Sequence, residues 1–126
     1  MRVFVNKPFA RFARKEEIAD ADLCEAIRLA ETDPDADLGG GLIKQRVARE
    51  GKGKSGGYRT LIAFRSKARA IFIHGFAKSD QGNIDADELK ALKKLAKILL
   101  AYDEQALKQI LAAGVLTEVK CDGKAI

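Results

Sequence analysis

The sequence predicts an α+β fold, with N-terminal helices, a twisted antiparallel β-sheet of three to five strands, and C-terminal helices. Three stretches of different period predict it. Apolar residues recur every three or four positions from Phe9 to Ala30, alternately or continuously from Leu42 to Ala77, and every three or four again from Leu89 to Leu111. With 126 residues the chain is expected to form a single domain over 1–126.

Arg2 to Val5 alternates weakly and suits a short first strand. Asn6 is placed to cap a helix, with Pro8 in the first turn, where a missing N–H costs little, and Phe9, Phe12 and Ala13 at helical spacing. Asp20 is a second start signal. Asp20 and Asp22 suit the positive end of a helix whose apolar stripe is Leu23, Ala26, Ile27 and Ala30, and the two helices are expected to meet near Ile18. Thr32 to Gly41, TDPDADLGGG, reads as a loop. In LIKQRVAR the period is two, so Leu42, Lys44, Arg46 and Ala48 share one face and Ile43, Gln45, Val47 and Arg49 the other. A glycine–lysine turn over Glu50 to Gly57 leads into a second strand, YRTLIAFR. A tight connection at Ser66 and Lys67 precedes a third, ARAIFIHGFAK, whose near-continuous apolarity marks it as central and covered on both faces. Short links between these runs imply an antiparallel meander. After a polar break from Ser79 to Asn83, Asp85 and Glu88 have capping-box spacing ahead of Leu89, Leu92, Leu95 and Leu99. Asp103 opens another amphipathic segment that Gly114 ends, and VLTEV reads as a last short strand.

Charge is unevenly spread. The net charge is +5 and the pI about 9.3. From Gly39 to Lys78 ten Lys or Arg meet one acid, Glu50, while the remainder carries 13 basic and 17 acidic residues. Such polarity focuses a polyanion on one side of the molecule and leaves the other for a different partner. The densest part, Gly39 to Arg59, sets Lys44, Arg46, Arg49, Lys52, Lys54 and Arg59 among glycine clusters, where the backbone can turn tightly or come close to a ligand. Cations so arranged suit a phosphate-bearing partner, and a solvated basic loop is the plain alternative. No run approaches the roughly 18 apolar residues of a membrane span. The polar N-terminus is unlike a signal peptide, so a cytoplasmic location is expected. Cys24 and Cys121, far apart and without a CxxC or a histidine pair, read as reduced thiols used in packing, not as a metal site. No nucleotide fingerprint, P-loop, HExxH or zinc spacing occurs, and no cofactor is expected.

A single histidine, His74, excludes a two-histidine ribonuclease site, and its place in the most apolar strand reads as core. Lysines and arginines at strand ends remain, and these can cleave RNA. Attack of a ribose 2′-oxygen on its own phosphate needs a proton acceptor, a proton donor and stabilisation of the crowded phosphorane; arginine's fork of donors supplies the last. A lysine crowded by other cations can move protons, less well than histidine. Such a site implies slow work on free RNA unless a partner holds the attacking geometry.

LGGGLIKQRVAREGKGKSGGYRTLIAFR followed by AIFIHGFAKSDQGNIDADELKALKKLA resembles the RelE/ParE toxin superfamily of bacterial toxin–antitoxin pairs, and within it the HigB-like RelE branch. The likeness covers essentially the whole chain, and GKGKSGGYR and GFAKSDQGNI…DEL are its most specific elements. It implies the helix–sheet–helix order above and a ribosome-dependent mRNA endonuclease acting on the ribosome with its mRNA. It also implies neutralisation by a helix-turn-helix antitoxin, with no membrane and no small-molecule cofactor. Arg59, in the GYR strand, is then the phosphate stabiliser. Lys54, with Lys52 beside it, matches the lysine before that strand, and Lys78, after the glycine-containing third strand, is a candidate acid, base or phosphate clamp. Tyr58 and Phe76 could each stack a base or pack in the sheet. Where many members carry an aromatic or histidine near the end of the chain, this one has Asn83, which leaves the general acid unassigned. Lys44 and Arg46 join the RNA-binding candidates because they share a strand face. The superfamily joins two activities to one fold, so a ParE-like DNA gyrase inhibitor without nuclease activity stays open, as does a non-catalytic nucleic-acid-binding module. The basic strand ends favour RNA.

Overall fold

The computed structural model describes residues 1–49, 53–77 and 84–121, the side chains of 49 and 53–56 excepted. The elements in order are β1 (Arg2–Asn6), α1 (Lys7–Lys15), α2 (Asp20–Thr32), β2 (Ala36–Gly39), β3 (Leu42–Arg49), β4 (Gly53–Arg65), β5 (Arg69–Ala77), α3 (Ala86–Ala101), α4 (Glu104–Ala112) and β6 (Leu116–Val119). The fold is α+β, and the strands form one sheet in the order β2-β3-β4-β5-β1-β6.

Helices cover both faces. Phe9 of α1 and Leu23 and Ile27 of α2 pack with Val3, Val47, Ile62 and Phe72. Leu99 and Leu100 of α3 and Leu107 of α4 pack with Phe4, Leu42, Leu61 and Ile71. Sequence neighbours such as Val3 and Phe4, or Leu61 and Ile62, fall into opposite layers because successive side chains leave a strand on opposite sides. The helix starts follow the sequence signals. Asn6 accepts from the Phe9 N–H at 2.9 Å, Asp85 from Glu88 at 2.8 Å and Asp103 from Ala106 at 2.8 Å. At α2 the cap position is Ala19, whose N–H is taken by the Asp22 carboxylate. No described helix is long and apolar enough to cross a membrane.

The antiparallel meander holds for β2 through β5 only. β1 runs parallel to β5, with Val3 opposite Ala70 and Val5 opposite Phe72, and antiparallel to β6. Among the described residues the sheet is therefore mixed and six-stranded, in place of the three to five antiparallel strands expected. Val3, Phe4 and Val5 are all buried, which is the pattern of an inner strand covered on both faces; its weak alternation reflects that burial. Ala36–Gly39, read as loop, is the edge strand β2, paired with β3 through a bulge between Asp37 and Gly39. An acid and a glycine give it little intrinsic preference, and the ladder to β3 overrides this. Gly53–Gly57, read as turn, belongs to β4, because pairing with β3 extends to Arg49 opposite Gly53.

Cys24 and Cys121 are joined in a disulfide, with Cα atoms 5.8 Å apart, and are not the separate reduced thiols the sequence suggested. Both cysteines pack against the cluster that holds Leu23 and Val119, on the α1–α2 face. Chain topology creates this proximity across 97 residues, and spacing gives no sign of it. Reduction, or joint Cys24→Ser and Cys121→Ser replacement, is expected to cost up to about 4–5 kcal/mol of loop-closure entropy. The measurement is a urea unfolding midpoint under oxidising and reducing conditions.

Arg2 ties the sheet's β1–β6 side together. Its Nε and Nη2 donate to the two Glu118 carboxylate oxygens at 3.0 and 3.1 Å, and Nη1 donates to Glu104 at 3.2 Å. Hydrogen bonding from Arg2 holds the Glu118 carboxyl below its ordinary range. A carboxyl lowered in the folded state contributes stability that is present above its unfolded value and disappears as pH falls through the folded one. Glu118→Gln is therefore expected to lose less thermal stability on acidification than the wild type does, and equal acid losses would show that this pair contributes nothing.

Candidate nucleic-acid interface

On the face that α3 covers, the registers of β3, β4 and β5 line residues up in rows across the sheet. Leu42, Ala63 and Ile71 form one row, Lys44, Leu61 and His74 the next, and Arg46, Arg59 and Phe76 a third. The first row is buried in the apolar layer of Leu99 and Leu100. At the second row the N-terminal turn of α3 brings Glu88 Oε2 to 3.9 Å from His74 Nε2. In the third, Arg46 is exposed and Arg59 half-buried. Two steps of two residues thus carry the same sheet face from hydrocarbon to guanidinium.

A cavity of about 250 Å³ opens there, lined by Asp35, Lys44, Arg46 and Arg59. Asp35 Oδ2 accepts the Arg46 backbone N–H at 2.6 Å and lies 3.4 Å from Arg46 Nε. The Asp35 N–H in turn donates to Gln45 Oε1 at 3.1 Å. The carboxylate thus orients one arginine. Arg59 is different: its Nη1 is buried and has no hydrogen-bond partner. Leaving a buried donor unsatisfied costs about 1–3 kcal/mol, more for a charged group. A phosphate oxygen would supply the missing acceptor, and guanidinium geometry suits it. Among the described residues three cations line the cavity against one carboxylate, a balance that suits an anion.

The structure brings Lys44 and Arg46, which share a face of β3, together with Arg59 of β4. Lys52, Lys78 and Asn83 lie outside the described residues, and Lys54 is described only as backbone of β4. Tyr58 does not join the cluster. It is 3% exposed on the opposite face, edge-on to Phe12 at 5.5 Å, with its hydroxyl donating to Glu16 Oε1 at 3.2 Å. Of its two readings, packing in the sheet is the one realised, because its neighbour Arg59 takes the open side. Gly57 also serves packing: a Cβ there would overlap the Val47 carbonyl beside the β3 bulge. Sequence reasoning missed Asp35, which sat in an apparent loop, and read Glu88 only as a cap. It also placed His74 in the core. The signal that could have found His74 is Gly75, since an isolated glycine inside a strand pattern marks a bulge.

The family model for the RelE toxin of the RelE/RelB toxin–antitoxin system matches residues 1–119, a span that takes in every element from β1 to β6. No individual curated protein matches the chain. Because Arg59 sits without an acceptor, Arg59→Met is expected to leave folding free energy unchanged or raise it by about 1 kcal/mol. The same change should weaken binding of a short single-stranded RNA. Urea unfolding and fluorescence anisotropy measure the two effects on one sample.

Proposed function

The chain belongs to the RelE toxin family of toxin–antitoxin systems, and from that membership we propose that it acts as a ribosome-dependent mRNA endonuclease. The observation that carries the reading is the buried, unpartnered Nη1 of Arg59 in a cavity shared with Lys44 and Arg46. A ribose–phosphate link bent for internal attack presents extra charge on its non-bridging oxygens. Arg59 meets that charge with a donor already stripped of water, where a hydrogen bond is strongest. Lys44 and Arg46 hold the flanking phosphates, and Asp35 keeps Arg46 in register. Lys54 and Lys78 remain the lysines assigned to proton movement or phosphate clamping, and Lys52 and Asn83 to RNA contact. Tyr58, packed on the other face, leaves the binding set.

Such a site binds and stabilises better than it positions. Alignment of the 2′-oxygen with the departing 5′-oxygen falls to the ribosome, which presents mRNA in a fixed path. The partners in this reading are the ribosome with its mRNA in the cytoplasm and a helix-turn-helix antitoxin that blocks the basic face. No small-molecule cofactor enters.

Cleavage of a reporter mRNA in a translating extract, mapped by primer extension, tests the proposal. The wild type should cut, and Arg59→Ala should cut roughly 100–1,000-fold more slowly, the usual loss of one transition-state donor. A wild-type protein that leaves mRNA whole and instead inhibits supercoiling by DNA gyrase would overturn it.

A further inference from the structure

β5 carries a bulge whose effect falls on one residue. Leu61 lies opposite His74 and Ile62 opposite Phe72, so Ile73 has no partner in the register. As a result Ile73 and His74 both leave β5 on the α3 side, Ile73 into the apolar cluster and His74 against Glu88. Strict alternation would have turned His74 toward α1, where Gly75 now sits. That side has no room: a Cβ at Gly75 would already lie 2.6 Å from Phe12 Cε2 and 2.9 Å from Phe9 Cε1. Asn6 Nδ2 donates to the Ile73 carbonyl at 3.2 Å and so satisfies backbone that the bulge takes out of the ladder. The fold thus places an imidazole on the same face as Arg59, one diagonal step away across β4 and β5.

Most buried side-chain nitrogens have a hydrogen-bond partner. His74 Nε2 is buried without a hydrogen-bond partner, and Glu88 Oε2 stands at 3.9 Å, beyond bonding distance. Among the described residues the buried side-chain nitrogen and oxygen atoms in this condition are His74 Nε2 and Arg59 Nη1, on the same face. Glu88 of α3 stands 3.9 Å from the ring, and Lys44 of β3 and Arg59 of β4 lie on the same face of the sheet. The Glu88 carboxylate thus stands beside the Nε2 edge of the ring.

We propose that His74 donates the proton to the departing 5′-oxygen in RNA cleavage and that Glu88 is the positioning residue for its ring. The proposal rests on the ribonuclease reading above. In the step, the 2′-oxygen bonds to phosphorus as its proton passes to a base, a site lysine or water. The bond from phosphorus to the 5′-oxygen breaks, and that oxygen takes the imidazolium proton. The products are a 2′,3′-cyclic phosphate and a 5′-hydroxyl, and the neutral ring regains its proton from water. Histidine suits this work because its proton exchanges near neutral pH.

The test measures single-turnover cleavage of ribosome-bound mRNA by the wild type, His74→Gln, Glu88→Gln and Arg59→Ala, each first shown to melt above the assay temperature. Two messages are used, one ordinary and one with a 5′-bridging sulfur at the cut link, which departs without needing a proton. His74→Gln should be about 100-fold slower on the ordinary link, regain most of the rate on the sulfur link, and lose one limb of the pH–rate profile. Glu88→Gln should show a smaller loss of the same kind. A His74→Gln rate equal to wild type, or a loss equal on both links, overturns the proposal while a defective Arg59→Ala leaves the ribonuclease reading standing. A wild type that does not cut, or an Arg59→Ala that cuts as well as wild type, overturns that reading instead. If His74→Gln melts too low, His74→Asn is judged by the same two links.

Discussion

The alternation of side chains along β3 and β4 is the constraint on which the molecule depends. Val47 and Tyr58 must be buried against α1 and α2, and the pleat then obliges Arg46 and Arg59 to leave on the other side. A one-residue slip of either strand would exchange these sets, putting guanidinium groups into the aromatic layer of Phe9, Phe12 and Phe72. Burial of an apolar side chain contributes about 1.5–3 kcal/mol, so several such residues hold the register against the repulsion among Lys44, Arg46 and Arg59. The basic cluster is held by what lies on the far side of the sheet.

Unequal cover completes the arrangement. α3 shields the Leu42–Ala63–Ile71 row, reaches the next through Glu88, and leaves Arg46 exposed in the third. Its first turn is fixed by Asp85, which accepts the Glu88 N–H; the capping residue therefore sets both where the helix begins and where the Glu88 side chain stands. Fastenings lie away from the cavity: the Cys24–Cys121 link binds α2 to the chain just after β6, and the Arg2–Glu118 pair binds β1 to β6. Anchoring at that end lets the basic end keep groups that stability alone would not select.

Much of this was legible from residue order. The helix starts at Asn6, Asp85 and Asp103 are local chemistry between residues three apart, and each was readable for that reason. The shared face of Lys44 and Arg46 follows from period two and needs no tertiary information. What could not be read depends on partners far along the chain. β1 pairs in parallel with β5 across more than sixty intervening positions, the disulfide spans 97, and Asp35 gains its role only because β2 folds back beside β3. His74 is an intermediate case. Its apolar neighbours indicated burial, and it is partly buried, but a bulge one residue earlier decides which layer receives it.

Polar groups elsewhere in the interior show how unusual the open face is. The Thr60 hydroxyl, fully buried, donates to the Gln45 carbonyl at 2.7 Å, and Gln45 Oε1 accepts the Asp35 N–H. Arg69, with its side chain 11% exposed, spends its guanidinium on the carbonyls of Leu99 and Tyr102 at the end of α3. The fold can therefore satisfy an arginine in this sheet when stability is the end served. Arg59 and His74, neighbours on the diagonal, are left with an unpaired nitrogen each. A bulge, a glycine and an asparagine side chain are used to bring the second of them to the face of the first. In the ribonuclease reading proposed above, these coinciding deficits would meet a substrate that supplies both an anionic oxygen and a leaving oxygen.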